Sequence, residues 1–107
     1  MLQENRYRLA LAALLSVASA ISFAQSSGEA VYKAKCLMCH GPAGVANSVV
    51  GKSMKVKPIT DPSVRNMPMS EMKQAVKNGM GKMEPYKDKL TDAQIKDAVE
   101  YFRTFLK

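Results

Sequence analysis

The sequence predicts an all-α domain. Two capping boxes, Ser26 with Glu29 and Thr91 with Gln94, each pair a hydroxyl with a carboxyl or amide three residues later, the arrangement that satisfies the free N–H groups of a helix start. After the second box Ile95, Ala98, Val99, Phe102 and Leu106 recur at helical spacing, with Tyr101 and Phe105 widening the apolar face. No alternating or β-branched run suggests a sheet, and the 107 residues hold no internal repeat or second domain.

The chain's first stretch is set apart. Arg6 and Arg8 precede an apolar run from Leu9 to Ala24, and small residues recur at Ala18-Ser19-Ala20 and Ser22-Phe23-Ala24. Together these are the three regions of a secretory signal cleaved after Ala20 or Ala24. An uncleaved membrane anchor is the competing reading, but a run of sixteen residues falls short of the roughly 20 that a spanning helix needs. The expected division is residues 1–24 as a cleavable signal and 25–107 as one domain. The 83 residues left are few for a core built from side chains alone.

Within that domain the Ser26 box starts a helix near Gly28 that runs through Tyr32 to about Met38. Gly28, Tyr32 and Cys36 are four apart and share a face, where a glycine lets a second helix approach closely. From Gly41 to Met67 breakers dominate, among them Pro42, Gly44, Gly51, Pro58 and Asp61-Pro62. So long an irregular connection is uncommon unless it covers something, and Val49, Val50, Met54, Val56 and Ile59 are its expected inward residues. A mobile surface loop is the alternative. Ser70 reads as the N-cap of a short helix carrying Met72, Ala75 and Val76, closed by Asn78-Gly79. The stretch Gly79 to Tyr86 is too rich in glycine for regular structure and contains Pro85.

The chemistry is concentrated in Cys36-Leu37-Met38-Cys39-His40. Two thiols at this spacing can add across the two vinyl groups of one haem, leaving the adjoining imidazole placed to ligate the iron. Three other readings compete for the same residues. A redox thiol pair sits at a helix start after a strand, whereas Ala30, Val31, Tyr32 and Ala34 form a helical pattern. A zinc site needs four ligands, and these are the chain's only cysteines and its only histidine. A bare disulfide suits an exported protein but leaves His40 and the downstream methionines unexplained.

With a single histidine, a second protein ligand to iron would come from methionine, whose soft sulfur raises the reduction potential. Met72 is explained by helix packing, and Met67 and Met69, flanking Pro68, by a hydrophobic staple or packing beside the cofactor. Met83 is the preferred ligand because it lies between flexible Gly79-Met80-Gly81 and stiff Pro85. Met80 is the competitor.

The ordered set Gly28, Tyr32, Cys36-Leu37-Met38-Cys39-His40-Gly41, Gly79-x-Gly81-x-Met83, Tyr86, Leu90 and Asp97-Ala98-Val99-Glu100-Tyr101-Phe102 resembles a small bacterial soluble class I cytochrome c. The resemblance covers nearly all of residues 25–107. It implies three to four short helices around one covalent haem c, with His40 and Met83 on opposite faces of the iron and the protein acting as an electron shuttle. It also implies that Gly28 and Tyr32 meet Ala98 and Tyr101 at a helix crossing. A middle-loop proline, with Pro58 the nearest match, would accept a hydrogen bond from the imidazole. Haem attachment outside the cytoplasm fits the export signal and points to a bacterial periplasm.

The net charge of +7 falls to +6 when Glu4, Arg6 and Arg8 leave with the signal. The lysines are dispersed, without the interleaved aromatics that stack bases, so nucleic acid is not an expected partner. Basic charge near a cofactor edge steers encounter with acidic redox proteins, and Lys82 and Lys87, on either side of Met83, are the expected docking residues. No enzyme activity, no stable membrane insertion after cleavage, and a monomer are expected. The alternative function is a haem sensor or ligand-binding module whose sixth ligand is displaceable. A third class is a thiol-disulfide protein without haem.

Overall fold

A computed structural model describes residues 27–107. The proposed signal and the Ser26 cap lie outside the described residues. Helix α1 covers residues 27–35 and α2 covers Leu37–His40, with Cys36 as the turn between them. The Cys36 N–H donates to the Tyr32 carbonyl at 2.8 Å and the His40 N–H to the Cys36 carbonyl at 2.9 Å, so the helical ladder continues through the break. The expected first helix therefore forms and extends to His40.

The long connection is more ordered than its breakers suggest. Helix α3 (Val49–Ser53) begins where the Ser48 hydroxyl accepts from the Gly51 N–H. Helix α4 (Pro62–Arg65) begins where Asp61 accepts from the Ser63 N–H and Pro62 brings a preset φ to the first turn. Asp61-Pro62, read from the sequence as a turn, is thus a helix start. Ile59 is fully buried, but Val49 is 86% exposed and Val50 also lies at the surface. The cause is α3 itself. Gly51 packs against the Cys39 and Ala46 carbonyls, and at about 100° per residue Val49 falls on the opposite side of the helix from Gly51.

Helix α5 (Met69–Asn78) starts one residue before Ser70, with Pro68 as its N-cap. That register makes Met67 the residue before the cap and Met72 the fourth helical residue, the two positions of a hydrophobic staple, and Met67 packs against the buried cluster that contains Met72. Helix α6 (Asp92–Arg103) tightens into a 3₁₀ turn over Thr104–Leu106. Its capping box is complete, with the Gln94 N–H on Thr91 Oγ1 at 3.1 Å and the Thr91 N–H on Gln94 Oε1 at 2.9 Å. The apolar stripe expected from spacing faces inward: Ile95, Ala98 and Val99 are buried, and Tyr101, Phe102, Phe105 and Leu106 are half-buried.

Met72, Leu90, Ile95 and Val99 form the buried cluster between α5 and α6, with Val31, Val64 and Val76 packed against it. Helix α1 crosses α6 at Gly28, which rests on the Asp97 carbonyl and Tyr101 Cβ. One turn on, the buried Tyr32 ring lies 5.4 Å from that of Tyr101, 6.0 Å from Phe102 and 5.4 Å from Phe105. Its hydroxyl donates to the Gly41 carbonyl, tying α1 to the end of α2. The architecture is all-α, as predicted. The β pairing among the described residues is a single bridge between Met80 and Met83.

Candidate functional site

The two halves of the expected site meet in one cavity of about 800 Å³. Cys36, Cys39 and His40 line it from α2 and the turn before it, and Met80 and Met83 line it from the segment after α5. Met54, Val56, Val64 and Met67, from the middle connection, supply further apolar wall. The volume falls in the usual range for a cofactor site.

The methionine segment is a two-residue hairpin turn. The Met80 N–H donates to the Met83 carbonyl at 3.1 Å and the Met83 N–H to the Met80 carbonyl at 2.9 Å, with Gly81-Lys82 between them. Gly81, with φ of +56°, takes the left-handed position at the first corner, and glycine adopts it without steric cost. Directly opposed residues of an antiparallel pair project to the same side, so both thioethers reach the cavity. They differ in exposure. Met83 is half-buried, whereas Met80 is 53% exposed.

On the other side, burial lowers the His40 pKa, so the imidazole is neutral and its lone pair available. The Phe102 ring backs it edge-on, with centroids 5.1 Å apart. Its Nδ1 is buried without a hydrogen-bond partner. The expected partner, Pro58, does not pair with it; the Pro58 carbonyl accepts from the Asp61 N–H at 2.9 Å, in the turn that leads into α4. An unpartnered buried nitrogen costs about 1–3 kcal/mol, a cost that points to a functional rather than a packing role.

The thiols argue against the competing readings. Burial, then the charge of Cys39, pushes the Cys36 thiol up to about 11, the reverse of the depression that activates a redox cysteine. Cys36 and Cys39 are not joined to each other. Among the described residues no three His, Cys, Asp or Glu side chains converge on a metal position.

Tyr86 closes the site. Its ring lines the cavity and its hydroxyl lies 3.2 Å from the Lys35 carbonyl, the residue before Cys36. The same hydroxyl is 3.2 Å from Glu84 Oε1, while Lys89 Nζ holds Glu84 Oε2 at 2.8 Å. Burial, then the Glu84 hydrogen bond, raises the Tyr86 hydroxyl to about 12, so it remains a donor at neutral pH. Lys35, Lys55, Lys57 and Lys82 also line the cavity. Of the two lysines expected to dock partners, Lys82 lines the cavity and Lys87 is exposed outside it.

A neutral, half-buried imidazole, two free thiols three residues apart and soft thioethers around an apolar cavity fit a covalently held haem. Residues 23–102 match the family model described as cytochrome C oxidase, cbb3-type, subunit III. The chain belongs to this cytochrome c family. Among curated proteins none matches it. Membership of this monohaem family implies haem-based electron transfer and a covalent haem c, and Cys36-x-x-Cys39-His40 has the form of its attachment motif. No helix among the described residues is long and apolar enough to cross a membrane.

Two contributors to this cytochrome c domain were not singled out from the sequence. Phe102 appeared as part of a packing stripe, and nothing in its spacing marked it as the wall behind His40. Tyr86 stands out in the sequence only as the end of the glycine-rich stretch and as part of the resemblance. Its bond to residue 35 joins positions far apart in the chain, which local pattern does not reveal.

Proposed function

We propose that residues 25–107, exported and freed of a 1–24 signal, act as a monomeric periplasmic electron carrier with one haem c. The Cys36 and Cys39 thiols would each add S–H across one vinyl group, forming two thioether bonds with no leaving group. His40 and Met83 would hold the iron. The bound haem supplies a reversible one-electron couple. The chain holds that couple in place, keeps the imidazole neutral by burial and presents a soft sulfur that favours the reduced state. The apolar walls from Met54, Val56, Val64 and Met67 limit water around the site, which also raises the potential.

The observation that carries this reading is the presence of Met83, half-buried, in the same cavity as both thiols and the only histidine. Greater burial favours Met83 over Met80. The lysines on the cavity rim suit acidic redox proteins as partners, with Lys82 on the rim and Lys87 beside it in the chain.

The test is the visible spectrum of protein exported by a host able to attach haem. A ferrous c-type spectrum together with a methionine-to-iron band in the ferric state is expected. Met83→Ala should abolish that band and lower the potential, and Met80→Ala should leave it in place. Loss of the band in Met80→Ala alone transfers the ligand to Met80. Rapid carbon monoxide binding by the unaltered protein supports the sensor reading, and colourless protein overturns the haem assignment.

A further inference from the structure

We infer that Tyr86 is a positioning residue for Met83, its hydroxyl fastening the methionine segment to the cavity wall that carries Cys36. The inference rests on Met83 being the sixth ligand. Tyr86 is bound at both its ends. Its N–H donates to the Val76 carbonyl of α5 at 2.9 Å, and its hydroxyl lies 3.2 Å from the Lys35 carbonyl at the end of α1. Only Glu84 and Pro85 separate it from Met83, and Pro85 has a fixed φ. Freedom at the Tyr86 hydroxyl therefore passes with little loss to the thioether.

The hydroxyl has one hydrogen and two acceptors at equal distance, Lys35 O and Glu84 Oε1. The Glu84 arm is local. It links residues of the same segment and Lys89 holds its other oxygen, so it cannot by itself fix the segment against α1. The Lys35 arm spans 51 positions and joins the two groups of cavity residues. Space-filling alone would require the ring but no oxygen in this place.

The discriminating variant is Tyr86→Phe, made in the haem-loaded protein. Ferric protein is titrated with imidazole, and displacement of the methionine is followed by loss of its band. Losing one hydrogen bond should tighten apparent imidazole binding by about 2- to 10-fold. Soret intensity and helical circular dichroism should be unchanged. Glu84→Gln, which leaves the Lys35 arm in place, should bind imidazole as the unaltered protein does. Thr91→Ala, which lowers global stability through the α6 cap, should also do so.

Wild-type affinity in Tyr86→Phe overturns the inference. An equal shift in Thr91→Ala also overturns it, by making the effect one of global stability. Absence of a methionine band from the unaltered protein is a separate outcome, in which the Met83 ligand reading fails and the inference falls with it.

Discussion

Replacing Gly28 by alanine sets two physical effects against each other with opposite signs. Alanine in a helix is favoured over glycine by up to about 1 kcal/mol, so propensity alone predicts a more stable protein. Packing predicts the reverse. A Cβ at Gly28 would sit well inside contact distance of the Asp97 carbonyl oxygen, 2.9 Å from the Asp97 carbonyl carbon and 3.3 Å from Tyr101 Cβ. Ordinary carbon contacts are about 3.5–4.0 Å, so α1 and α6 must separate by about 0.6 Å or more. The obstructing atoms are backbone and cannot rotate aside. Overpacking of this kind costs roughly 1–3 kcal/mol, here near the upper end, which leaves a net loss of about 1–2 kcal/mol. For a domain of this size that lowers Tm by roughly 5–15 °C. Thermal unfolding of the haem-loaded variant, followed by circular dichroism, measures it. Ala30→Gly on the exposed face of α1 calibrates the propensity effect within the same helix. A Gly28→Ala protein more stable than its parent would show that the crossing is looser than described and refute the packing argument.

Three further outcomes follow from the same contacts. Tyr32→Phe keeps the aromatic cluster but leaves the Gly41 carbonyl without its donor, and should lower the unfolding free energy by about 1–2 kcal/mol in denaturant titrations; no change would mean that water replaces the hydroxyl. The Glu84 carboxyl is held below its ordinary 4.5, first by its hydrogen bond to Lys89 and then by the Tyr86 hydroxyl. A folded value below the unfolded one gives a contribution present in full above about 4.5 and lost as pH falls through the folded value. The Tm difference between the unaltered protein and Glu84→Gln should therefore vanish in acid, and a difference constant with pH would contradict the pairing. Changing Lys82 and Lys87 together to glutamate should slow reduction by an acidic partner and flatten its salt dependence, and unchanged kinetics at low salt would count against docking there.

The parts of the fold legible in the sequence are those set by local rules. The Thr91 and Gln94 box and the stripe from Ile95 to Leu106 fixed α6 because capping and helical period act over neighbouring residues. The placement of both cysteines and His40 was legible because the motif is five consecutive residues. Val49 and Val50 were misplaced because apolar character alone does not say which side of a short helix faces in; the Gly51 approach to the Cys39 carbonyl decides that. The start of α5 moved to Met69 because Pro68 can serve as a cap without a side-chain bond. The choice between Met80 and Met83 was ambiguous for a definite reason. A two-residue hairpin turn directs both to one side, and only their unequal burial separates them.

Phe102, the ring behind His40, sits near the chain's far end. The contact that seats its helix, Gly28 against Asp97, closes a loop of roughly 70 residues, an entropic cost about 1.7 kcal/mol greater than for a ten-residue loop. A polypeptide emerging N-terminus first exposes both thiols and the imidazole well before α6 exists. Until Phe102 arrives the imidazole has solvent, not an aromatic edge, at its back. A chain shortened ahead of residue 92 would keep every atom of the attachment motif and lack the surface that buries it.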